Sequence, residues 1–148
     1  SFWETQYADE MTRLLEREAA YNIRLNDAAQ RLNGGMALDD DELIALLPDT
    51  RDRYMVFWHV GEWPLDNSED RRMSRPEMID SVVVSRAAEG CTPLMHRYVA
   101  MLEWADGWPG EYIYDGVSYL RHCHPAEVDA ALDSLFPDSD WQKEFSIP

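Results

Sequence analysis

Residues Ser74 to Gly107, SRPEMIDSVVVSRAAEGCTPLMHRYVAMLEWADG, constrain the fold more than any other stretch, because helix starts, stops and faces are all marked in it. Ser74 followed by Glu77 has the spacing of a capping box, and Pro76 falls in the first turn, where its missing N–H costs nothing. Gly90 is placed to stop this helix. Thr92 then serves as the cap of a second helix with Pro93 at its first position, and Gly107 followed by Pro109 ends it. Met78, Ile79, Val82, Val83 and Ala87 make one apolar stripe, and Leu94, Met95, Tyr98, Val99, Met101, Leu102 and Ala105 make another, both at helical spacing. Two such stripes joined by a tight turn are expected to pack on each other.

The N-terminal segment extends the helical reading. Tyr7, Met11, Leu14, Tyr21, Leu25, Ala28 and Leu32 recur every three or four residues if Glu18 holds one seam position, which predicts one long amphipathic helix from Phe2 to Asn33, stopped by Gly34 and Gly35. A seam so short, with a charge in it, suits a helix laid along its own core better than a coiled coil. Glu18 is expected to pair with an arginine or lie at the edge of the stripe. Asp39 and Glu42 then have cap spacing for a short helix ending before Pro48, and the carboxylates of Asp39 to Glu42 favour its N-terminal dipole. These acids lack the alternating ligands and glycine of a calcium loop.

Tyr54 to Val60, YMVFWHV, suits a strand by composition, but Tyr54, Phe57, Trp58 and Gly61 also have helical spacing, and helical neighbours favour helix. Glu62 to Arg75 is polar, contains Pro64 and lacks periodicity, so it is expected to be an exposed loop. For 111–121 two readings stand level: a hairpin turning at Asp115–Gly116, or a helix facing inward through Ile113, Val117 and Leu120. Pro125 opens a last helix with Val128, Ala131, Leu132, Leu135 and Phe136 on its apolar face, stopped by Pro137, and Trp141 and Phe145 are placed to dock the tail. The expectation is a mostly α, single compact domain of about five to seven helices, with a short β-hairpin as the one alternative to helix.

Charge narrows the function classes. With 29 acidic residues against 13 basic ones in 148, the formal charge is −16. That argues against nucleic acid and anionic membranes as partners, because phosphate binding is built on clustered Lys and Arg. Self-repulsion in so acidic a chain would be relieved by a basic partner. No apolar run approaches the roughly 20 residues that cross a bilayer, and no signal peptide is read. A chain starting at Ser1 leaves the compartment open, cytoplasmic or periplasmic if bacterial. Cys91 and Cys123 are too few for a disulfide framework, though one bridge is allowed in an oxidising compartment.

Catalytic signals are sparse. His122, Cys123, His124 and Glu127, with His59 and Glu62 as further donors, carry the right atoms for zinc or for a thiol nucleophile, but at no established metal spacing. No GxSxG, P-loop or GxGxxG fingerprint occurs. No cofactor is expected. Trp58 and Trp104 lie on apolar faces and read as core, whereas Trp63 and Trp108 each precede a proline and are harder to bury. Aromatic residues ringed by charge are typical of binding hot spots. The partner-binding residues expected are therefore Trp63, Asp66, Glu69, Asp70, Trp108 and Glu111. In general type the chain is similar to bacterial toxin-immunity proteins: small, acidic, one domain, without a catalytic motif. The expectation is a non-catalytic inhibitor of a basic protein, with a small metal- or thiol-dependent enzyme, or a nucleic-acid mimic, as alternatives.

Overall fold

The computed structural model describes residues 2–60, 73–141 and 145, and they are mostly helical, with no strand among them. In chain order the helices are α1 (Phe2–Arg17), α2 (Ala19–Asn33), α3 (Asp40–Leu46), α4 (Arg51–Trp58), α5 (Arg75–Ala88), α6 (Thr92–Ala100), α7 (Pro109–Cys123) and α8 (Pro125–Leu135). A 3-10 turn, Met101–Trp104, continues α6. This is slightly more helices than expected, largely because the N-terminal helix is broken at Glu18. None among the described residues is long and apolar enough to cross a membrane. Two compact units are distinguished, Ser1–Ile79 and Asp80–Pro148, with the boundary inside α5.

In the first unit α2 packs on α1, α3 and α4, and α1 on α4. Met11, Leu14, Tyr21, Leu25 and Ala28 of the seam are buried as the periodicity requires, while Tyr7 is exposed. The break falls at the charged seam position. Glu18 departs from helical geometry at φ −111° and ψ 31°, and its carboxylate takes a hydrogen bond from Arg53 Nε at 3.3 Å. The seam charge is thus paired with an arginine of α4. Asp39 caps α3 by accepting from the Glu42 amide at 2.8 Å, and Thr50 caps α4 through the Arg53 amide at 3.2 Å. The aromatic segment is helical: Tyr54, Val56, Phe57 and Trp58 are all buried, and a fully buried apolar side chain contributes about 1.5–3 kcal/mol.

Arg75 ties the start of α5 into this unit. Its guanidinium donates to Asn22 Oδ1 at 2.7 Å, Asn26 Oδ1 at 2.6 Å and the Val56 carbonyl at 2.9 Å. All three acceptors are neutral. Burial accordingly lowers its pKa to about 10, since desolvation penalises the charged form. Ser74 sits at the cap position, its carbonyl accepting from the Met78 amide at 2.9 Å, but its hydroxyl is buried and bonds to nothing among the described residues. The backbone, not the serine side chain, therefore begins α5.

In the second unit α8 packs on both α6 and α7, and these are larger contacts than any α6 makes with α5. The two central helices are therefore not each other's main partner. Gly90, at φ +115°, makes the left-handed turn between them that a side chain would disfavour. Cys91, not Thr92, occupies the cap position of α6, and no side chain caps it. Tyr98 is fully buried and lies 2.6 Å from Asp80 Oδ1, joining α6 to α5. Trp104 is only half-buried.

The region 111–121 is helix, and the hairpin reading is excluded. Asp115–Gly116 is not a turn but the middle of α7, where Gly116 is buried against the Tyr98 ring. The glycine answers to space, not to backbone torsion. Trp141 and Phe145 are buried as expected. Arg121 Nε pairs with Asp129 at 2.7 Å, its Nη1 donates to the Phe145 carbonyl at 2.9 Å, and its guanidinium lies 5.3 Å from the Trp141 ring centre.

Candidate partner-binding site

Helix α7 presents two faces because its apolar residues recur at helical spacing. Ile113, Gly116, Val117 and Leu120 turn inward and are buried. Trp108 stands at the N-terminal boundary, and Glu111, Tyr112, Asp115, Ser118, Tyr119 and His122 look outward and are exposed. Trp108, Tyr112 and Tyr119 are 41%, 37% and 53% exposed. They are three of the seven large apolar side chains exposed among the described residues, so this one helical face concentrates what the rest of the chain scatters. Trp108 and Tyr112, four residues apart, meet edge to face with ring centres 6.1 Å apart, an arrangement that fixes both rings before any partner arrives.

Some carboxylates of this acidic chain are neutralised and others are not. Glu18, Glu42, Asp49, Asp52 and Asp129 are each matched by an arginine. Glu111 and Asp115 have no basic residue within ion-pair distance among the described residues. Two unneutralised carboxylates thus lie between aromatic side chains on a rigid helix. Chemically the face can attract a cation and bury apolar area around it.

The site residues expected from the sequence divide cleanly. Trp108 and Glu111 fall on this face and are exposed. Trp63, Asp66, Glu69 and Asp70 lie outside the described residues, as does Glu62. Tyr112, Asp115 and Tyr119 were not foreseen. Their signal is the spacing of three, four and seven that helix α7 gives them, and it is invisible while a hairpin at Asp115–Gly116 stays open.

The alternative constellation is dispersed. His122 and Cys123 are exposed at the end of α7, and Glu127 is exposed in the first turn of α8. His124 Nε2 lies 2.7 Å from the Ala88 carbonyl, which accepts its hydrogen, so the ring joins α5 to the junction of α7 and α8. No group of three or more His, Cys, Asp or Glu residues among the described ones is disposed to hold a metal ion. Cys91 and Cys123 are free thiols. His59 is half-buried, and burial pushes its pKa below the usual histidine value.

Comparison of the chain with family models, with curated proteins and with solved structures finds no match.

Proposed function

We propose that this protein is a non-catalytic, acidic binding module that engages a more basic protein, as an inhibitor or immunity-type protein engages a toxin. The observation that carries this reading is the outward face of α7, where Trp108, Tyr112 and Tyr119 lie among Glu111 and Asp115, two carboxylates without an ion-pair partner among the described residues, in a chain of charge −16. Aromatic anchors supply most of the binding energy in protein interfaces, while surface charge chiefly speeds the encounter. A lysine or arginine of the partner would place its stem on the rings and its charge between the carboxylates, gaining cation–π attraction as well. Trp63, Asp66, Glu69 and Asp70 belong to the same proposal as a second contribution from the sequence between Val60 and Met73.

Affinity capture with wild type and with a Trp108→Ala/Tyr112→Ala variant tests it. The reading expects a basic protein retained by wild type and lost, by at least about tenfold in affinity, from the folded variant. An acidic partner, or retention unaffected by the variant, would refute it. If the captured protein instead binds DNA and is competed off by DNA, the nucleic-acid-mimic alternative takes precedence.

A further inference from the structure

Arg17, Arg31, Arg53, Arg86 and Arg121 each have a carboxylate partner, and two arginines that lack one lie together at the surface of the first unit. A cleft of about 240 Å³ opens between α1 and α4 in the first unit, bordered by Glu10, Arg13, Arg17, Arg51 and Asp52. Met11 and Leu14, both buried, contribute to its wall. Arg17 Nη2 lies 3.5 Å from Asp52 Oδ2, a long and exposed ion pair. Arg13 and Arg51 reach no carboxylate within ion-pair distance among the described residues. Three arginines therefore border one small cleft together with two carboxylates, in a chain where acids outnumber bases by 29 to 13.

We propose that this cleft binds a phosphate dianion, either free or carried on a small phosphate ester, between Arg13, Arg17 and Arg51. The guanidinium is a planar fork that donates two parallel hydrogen bonds to phosphate oxygens, and three of them exceed what a single carboxylate requires. The first turn of α4 borders the cleft with Arg51 and Asp52, so the positive end of that helix adds to the field. The negative charge of the whole chain does not decide against this. At physiological salt the Debye length is about 8 Å, so distant carboxylates are screened while the three cations at the cleft act at close range. Asp52 is the ligand's competitor, because its carboxylate already pairs with Arg17. The site is independent of the α7 face and stands or falls without it.

The test is a titration of the full chain with inorganic phosphate and, separately, with glycerol phosphate, followed by backbone amide shifts at constant ionic strength with chloride as the control. Saturable shifts at Arg13, Arg17 and Arg51, with a dissociation constant of about 1 mM or tighter, support the site. Tighter binding of the ester identifies an ester as the ligand, and tighter binding of inorganic phosphate identifies the free ion. Arg13→Gln/Arg51→Gln removes two side chains that bond to nothing else described, so the variant should keep its fold and weaken binding at least about tenfold. Asp52→Asn should strengthen binding several-fold by freeing Arg17, a gain that misfolding cannot imitate. Shifts that do not saturate, that chloride reproduces, or that survive in the double variant would overturn the proposal.

Discussion

Gly116 of α7 and Tyr98 of α6 compete for one volume: a methyl carbon on Gly116 would come within 2.7 Å of both Cε1 and Cζ of the Tyr98 ring and closer still to its hydroxyl. Carbon atoms avoid such separations, and neither side can retreat easily, because Tyr98 is fully buried and its hydroxyl is held by Asp80. Gly116→Ala is therefore expected to destabilise the protein by about 1–3 kcal/mol despite the higher helix propensity of alanine. The melting temperature should fall by roughly 2–10 °C. Adding Tyr98→Phe should recover part of the loss by removing the nearest atom, and a Gly116→Ala variant as stable as wild type would refute the packing.

Arg75 offers a second test, since its three acceptors are on different segments. Arg75→Ala leaves two asparagine carbonyls and a backbone carbonyl without their charged donor, and the expected loss is about 2 kcal/mol or more in chemical denaturation. Arg75→Lys should restore less than half, because one ammonium cannot reproduce the fork. By contrast Asp52→Asn, which breaks an exposed pair, should change stability by under about 1 kcal/mol.

The half-buried His59 predicts the sign of a pH effect. Burial lowers its pKa in the folded protein below the unfolded value near 6.5, so between those two values the unfolded chain binds more protons. Stability from this group is complete above about pH 6.5 and declines as pH falls toward the folded pKa. His59→Gln should therefore show a smaller drop in melting temperature between pH 7.5 and pH 5 than wild type. An equal or larger drop in the variant would show that His59 does not titrate as its burial demands.

On the α7 face, charge and rings should separate kinetically once a basic partner is in hand. Glu111→Gln/Asp115→Asn is expected to slow association and flatten its dependence on salt, because exposed charges act on the encounter. Trp108→Ala should instead raise the dissociation rate about tenfold or more, since the anchor is felt only in the formed complex. Surface plasmon resonance at two salt concentrations distinguishes them, and equal rates for all variants would remove this face from the interface.

What the sequence made legible was local, and what it hid was tertiary. Asp39, the stops at Gly34 and Gly90, and the inward stripe of α8 could be read because each is fixed by residues a few positions away. The pair Asp115–Gly116 misled for the same reason: its local chemistry favours a turn, and the requirement that overrides it comes from Tyr98, eighteen residues earlier. Ser74 and Thr92 have cap chemistry, yet α5 begins without the serine hydroxyl and the cap position of α6 is Cys91, one residue before Thr92. Glu18 stood out as a charge in an apolar seam, but that its arginine would be Arg53, and that the helix would break there, depends on where α4 lies. The α7 face needed only the right choice between helix and hairpin. That Arg13 and Arg51 border one cleft could not have been read from spacing at all, because they belong to helices brought together by packing.

Arg121 faces Asp129, the Phe145 carbonyl and the Trp141 ring at once, which makes a residue of α7 the keeper of the chain's far end. Substitution tolerance there should be inverted from the usual pattern, in which a charged helix residue is replaceable and an aromatic core residue is not. A library randomised at Arg121, Trp141 and Phe145 and sorted for folded protein should accept other large apolar residues at the two aromatic positions before it accepts anything but arginine at the first, for a guanidinium alone can stack, donate and pair in the same instant.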